Sequence, residues 1–167
     1  MDSTVQRAIA AHLGSRDVAR VIYGTIIGLA LVVALGQHPP TATQAVGAIV
    51  GTAVAVGLAE IYSEFVGAEA RERRQVTRAE LRQLTGEAAA VTFGAIFPAV
   101  FFVLAAVDVI EVDTAFTLAK WTGLVLISGY AFVAARLAGS RNRRALAHAV
   151  VLGAIGGALI ALKALLH

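Results

Sequence analysis

The sequence predicts an all-α integral membrane bundle of five transmembrane helices, with a cytoplasmic N-terminus and the C-terminus outside. Three observations carry that expectation. Of 167 residues, 58% are apolar and only 15% charged, with a mean hydropathy of +0.77. A soluble domain runs about 45–50% apolar with glycine counted in, and about 25% charged. One core of this size could not hide so much apolar surface. Second, five apolar runs approach the roughly 20 residues that a helix needs to cross a hydrocarbon core of about 30 Å. Third, every one of the twelve arginines falls before the first run or on alternate connections between runs.

The first run, 21–35, is uncharged but short, so the predicted helix, about 18–36, takes in Val18 and Ala19 and lets the Arg20 stem snorkel at its end. A basic start followed by Ala34, Leu35 and Gly36 also fits a secretory signal with a small-residue cleavage site. The polar lead of 1–20 is long for a signal, and cleavage would leave four crossings. The second helix, about 41–63, is apolar through Ala59 and continues its pattern through Glu60 to Tyr62. The third, about 87–107, has no charge from Ala88 to Val107 and contains Pro98, which removes one backbone donor and should bend it. The fourth, about 115–136, is interrupted only by Lys120, near enough its outer end to snorkel. The fifth, about 145–166, carries His148 near its start and Lys163 near its end.

Charge orients these runs. Arg7, Arg16 and Arg20 lie in the segment 1–20; Arg71, Arg73, Arg74, Arg78 and Arg82 lie in 64–86; Arg136, Arg141, Arg143 and Arg144 follow the fourth helix. The other two linkers have no Lys or Arg, and one holds Asp108, Glu111 and Asp113. The positive-inside rule then puts the N-terminus and 64–86 in the cytoplasm. The chain divides into a cytoplasmic segment 1–20 and a membrane domain 21–167, with 64–86 as a short cytoplasmic helical linker. Within that linker Thr77-x-x-Glu80 has the form of a capping box. Its arginines read most simply as facing lipid headgroups.

Several functions are excluded or disfavoured. The absence of cysteine rules out a disulfide framework, a thiolate metal site and a cysteine nucleophile. His12, His38, His148 and His167 are scattered without zinc-ligand spacing. No nucleotide-binding or hydrolase motif occurs, and no nucleophile with a base points to an enzyme. The net charge of +3 reads as topology rather than as affinity for nucleic acid. No resident cofactor is expected.

Two sets of residues stand out. Little hydrophobic drive exists between helices in lipid, so small residues must let backbones approach. Gly24 with Gly28, Gly47 with Gly51, and Gly153 with Gly157 form three G-x-x-x-G pairs, suited to packing within one subunit or to a homodimer interface. Ionisable groups in a span are costly and therefore functional suspects. Glu60 lies about one turn inside the cytoplasmic end of the second helix, and Glu64 lies one turn further on the same face. Two carboxylates so spaced could receive a hard divalent cation. The plainer alternative pairs Glu60 with an arginine such as Arg20.

Gly24-Thr25-Ile26-Ile27-Gly28-Leu29, Ala59-Glu60-Ile61-Tyr62-Ser63 with Glu69 behind it, Phe93-Gly94-Ala95-Ile96-Phe97-Pro98, and the stretch from Gly129 through Arg144-Ala145-Leu146 into a glycine-rich last helix together resemble the vacuolar iron transporter family. The resemblance implies a five-helix, dimeric fold and proton-coupled export of Fe- or Mn-type divalent cations from the cytoplasm. By that resemblance Glu60 and Glu69 carry over as cation-binding positions, with Glu64 and Glu72 as local additions. The family's first-helix Asp and second-helix Met correspond to Ile27 and Val56, and its Glu-rich cytoplasmic domain is replaced by the Arg-rich linker. The alternative implied by these departures is a relative that has lost transport and acts as a membrane scaffold or partner-binding protein. The Arg-heavy, Ala-rich, Cys-free composition points to a bacterial inner membrane.

Overall fold

The computed structural model describes residues 15–137 and 142–165; the predicted segment 1–20 lies outside these up to residue 14, as do Arg7, His12, Arg141 and His167. Six helices follow in order: α1 (Ser15–Leu35), α2 (Ala42–Glu72), α3 (Arg78–Ile96), α4 (Ala99–Ala106), α5 (Val112–Leu137) and α6 (Asn142–Leu165). Among the described residues α1, α2 and α5 are long and apolar enough to cross a membrane. The pair α3 and α4, bent by 49° at the break between them, makes a fourth candidate if it is one span.

Local chemistry sets most of the ends. Thr41 caps α2 through a reciprocal box: the Gln44 N–H donates to Thr41 Oγ1 (3.3 Å) and the Thr41 N–H donates to Gln44 Oε1 (3.0 Å). The helix stops where Arg73 adopts the left-handed region (φ 51°) and its N–H returns to the Glu69 carbonyl (2.9 Å). Thr77 and Glu80 form the second box, at the start of α3. Each such cap contributes about 1 kcal/mol. Thus α2 runs nine residues past 63 and α3 begins nine before 87, so only 73–77 of the predicted linker is outside a helix. At 31 residues α2 is about 46 Å long, some 16 Å more than a hydrocarbon core. The predicted third span is not one rod. Pro98 stands at the N-cap of α4, where its missing N–H breaks the ladder, and tight turn bonds (Val100 N–H to Phe97 O, Phe101 N–H to Pro98 O, both 3.2 Å) replace it.

Small residues hold the layers together. A methyl on Gly24 would collide with the Val91 carbonyl, one on Gly28 would lie 2.7 Å from the Ala95 carbonyl oxygen, and one on Gly94 would lie 2.7 Å from the Thr25 nitrogen. Hence α1 and α3 touch main chain to main chain. Thr25, 1% exposed, satisfies its hydroxyl locally by donating to the Val21 carbonyl (2.7 Å). At the opposite end a core of Val32, Ala45, Ile49, Phe102, Phe116 and Ala119 joins α1, α2, α4 and α5, with Phe102 and Phe116 edge to face at 4.8 Å. Gly123 receives Leu29 and Gly153 faces Ser128, which sets α5 against α1 and α6 against α5. The start of α1, the end of α2, the start of α3, the end of α5 and the start of α6 therefore share one end of the bundle, the end that carries the arginines.

The glycine pairs divide accordingly. Gly24 and Gly28 are spent on packing inside the chain. Gly47 and Gly51 have open space where a side chain would stand, and so does Gly157 among the described residues. A helix occupies the place of the predicted fifth span, 145–166, up to Leu165; Lys163 and His148 lie on it with side chains outside the description.

Candidate functional site

The ionisable residues of the span ends converge on Arg20. It enters from the first turns of α1, next to buried Val18 and Val21, so its stem is held by packing while the guanidinium reaches between α2 and α3. Arg20 Nε donates to Glu60 Oε1 at 3.4 Å, and its Nη2 lies 2.5 Å from Glu87 Oε2 and 3.9 Å from Glu64 Oε1. Glu87 is the most enclosed of these carboxylates, its side chain 11% exposed, and its second oxygen accepts from Gln83 Nε2 at 2.9 Å. Glu64 also meets Arg71 Nη2 at 3.6 Å. Further out, Arg74 bridges Glu72 and Glu80 across the turn that joins α2 to α3.

Around these groups opens a cleft of about 590 Å³, lined by Arg20, Glu64, Arg71, Glu80, Gln83 and Glu87 among others. Five carboxylates (Glu60, Glu64, Glu72, Glu80, Glu87) meet three guanidiniums (Arg20, Arg71, Arg74) in this network, a formal excess of two negative charges. Arg20 forms the cleft floor. Directly beyond it come the main-chain contacts of Gly24 and Gly94, which leave no room between α1 and α3. At the outer rim, the bidentate bond from Arg74 and the Thr77 donors lower the Glu80 carboxyl to about 2, and the same pairing raises the Arg74 guanidinium.

The structure brings Glu60 and Glu64 together as their spacing requires, and places Arg20 between them and Glu87. The plainer sequence reading of Glu60, an ion pair with Arg20, is the arrangement observed. Glu72 lines the cleft but engages Arg74. Glu69 stands apart; its carbonyl ends α2. Among the described residues no three or more His, Asp or Glu side chains gather in a form that could hold a metal ion. Glu87 is absent from the residues that the sequence singles out, because it sits at the seam between the charged linker and the apolar run. Its helical spacing to Val91 and Ala95, both buried, marks it as belonging to the core-facing side. Ile27 and Val56 are both half-buried, and neither offers a ligand.

No family model matches the chain. No match is found among curated proteins or solved structures either.

Proposed function

We propose that this multi-pass membrane protein is a divalent-cation transporter whose cytoplasmic mouth is the acidic cleft at the inner ends of α1, α2 and α3. One observation carries the proposal: four carboxylates (Glu64, Glu72, Glu80, Glu87) line one cleft at the ends of the candidate spans with two guanidiniums, and Arg20, paired there with Glu64 and Glu87, occupies the place of a cation as a tethered one. Three to four candidate spans support a multi-pass reading; the rest of the proposal follows the resemblance to vacuolar iron transporters, with five crossings, N-terminus inside and C-terminus outside, in a bacterial inner membrane, as a homodimer. On this reading a Mn- or Fe-type ion is received by Glu60 and Glu64, with Glu69 and Glu72 at the approach, and leaves the cytoplasm against protons. The main-chain seal of Gly24 and Gly28 against α3 requires α1 and α3 to part during transport.

A second reading is favoured by a different observation. Glu60 and Glu87 already have Arg20 as counter-charge, and Ile27 and Val56 supply neither carboxylate nor thioether, so the protein serves as a scaffold or partner-binding bundle without transport. Reconstitution separates the two. Liposomes holding the protein should admit Mn²⁺ down an imposed gradient, and Glu60→Gln should abolish the flux. No flux in the wild type, with Ile27→Asp and Val56→Met restoring it, would establish the scaffold reading.

A further inference from the structure

Arg78 and Arg82 are the connector arginines that begin α3; both are exposed, and neither pairs with a carboxylate among the described residues. Glu80 is taken by Arg74, and Glu87 points to the other side of the helix. The spacing 78, 82, 85, 89, 93, 96 traces one stripe down α3, which places both cations directly above Thr85, Ala89, Phe93 and Ile96. Those four line an apolar groove of about 490 Å³ between α3 and α2, with Leu58 and Ile61 on its other wall. Leu58 is 63% exposed and Phe93 54%, so the bundle leaves this face open. At its deep end Phe93 and Ile96 also line a second apolar groove of about 630 Å³ formed with Val46, Val50 and Val100. The two grooves adjoin at Phe93 and Ile96.

Lengths match a lipid. From Thr85 to Ile96 is eleven residues, about 16 Å, close to one leaflet of a hydrocarbon core of about 30 Å. Arg82 stands one turn above Thr85, at the level where headgroup phosphates lie. Tyr62, 72% exposed and one turn above Leu58 on α2, has the position of an interfacial aromatic.

We propose that the α2–α3 face is a binding site for one anionic phospholipid, its phosphate held by Arg82 and Arg78 and an acyl chain laid in the groove over Ala89, Phe93 and Ile96. The inference rests on the reading as a membrane protein and is independent of transport. An ordinary boundary lipid fills the groove without regard to headgroup; two unpaired guanidiniums at its mouth select charge.

The test is native mass spectrometry of the full chain in detergent, titrated with phosphatidylglycerol or phosphatidylcholine. Wild type should retain phosphatidylglycerol preferentially. Arg78→Gln with Arg82→Gln should weaken it about five-fold per arginine, so about 25-fold together, without weakening phosphatidylcholine. Ala89→Trp, at an exposed position, should block the groove and weaken both lipids while the arginines remain. Helicity by circular dichroism confirms that each variant folds. Equal retention of the two lipids by wild type would overturn the proposal, as would variants that leave binding unchanged. Since the chain is free of cysteine, Ala89→Cys gives a further check: a disulfide-linked dimer in lipid would mean that a second copy covers this face, and the lipid site would be refuted.

Discussion

Replacing Gly24 or Gly28 with alanine tests how α1 and α3 are joined. At Gly28 the new methyl would lie 2.7 Å from the Ala95 carbonyl oxygen, whereas ordinary contact begins near 3.4 Å, so the helices must part by about 0.7 Å; at Gly24 the overlap with Val91 is larger. The obstructing atoms are backbone and cannot rotate away. Overpacking of this kind costs about 1–3 kcal/mol, and alanine returns nearly 1 kcal/mol of helix propensity. The net loss is then about 1 kcal/mol for Gly28→Ala and about 2 kcal/mol for Gly24→Ala. Gly47→Ala and Gly51→Ala meet nothing within 4 Å, so they should be neutral or stabilising by up to about 1 kcal/mol. Reversible unfolding of the purified protein in mixed micelles, by denaturing-detergent titration, measures all four. Equal effects at Gly24 and Gly47 would refute the assignment of the first glycine pair to packing within the chain.

Three other substitutions probe different parts of the bundle. Arg20→Ala strips the enclosed Glu87 of its counter-charge and should destabilise by about 3 kcal/mol, while adding Glu87→Gln should recover more than 1 kcal/mol in a double-mutant cycle; strict additivity would mean that the two do not interact. Phe102→Ala, at a fully buried position, should cost about 3–5 kcal/mol in the same titration, and a loss under 1 kcal/mol would show the α4 core to be loose. Glu80 has a folded-state pKa of about 2 against an ordinary 4.5, so its contribution is fully present above pH 4.5 and is lost as pH falls through about 2. Glu80→Gln should therefore flatten the acid limb of a stability-versus-pH curve between those values. An unchanged limb would remove Glu80 from the connector's acid response.

The candidate spans were legible because hydropathy picks out long apolar helices directly, and Thr77-x-x-Glu80 declared a helix start because its capping chemistry is local. Helix ends were harder. Hydropathy reports where lipid ends, whereas α2 continues through Glu64, Glu69 and Glu72 because those residues remain good helix formers, and it stops only when Arg73 turns left-handed. Pro98 announced a bend, but a proline alone does not say whether the helix merely kinks or, as here, splits in two with tight turn bonds at Phe97 and Pro98. The site was half visible. The spacing of Glu60 and Glu64 put them on one face, yet nothing in a linear pattern says that Arg20, forty residues earlier, lies between them and Glu87. That depends on Gly24, Gly28 and Gly94 bringing α1 against α3, a long-range contact whose partner a glycine motif does not name.

Both the cation mouth and the lipid groove presuppose that the arginine-bearing ends of the helices lie on one side of a bilayer. Single cysteines placed in the cysteine-free chain measure this: Gln75→Cys and Asn142→Cys at that end, Gln37→Cys and Val109→Cys at the other, labelled with an impermeant maleimide from each side of oriented vesicles. The expected result is that 75 and 142 react from one side and 37 and 109 from the other. Labelling of 75 and 109 from the same side, or of all four without vesicle disruption, would contradict it.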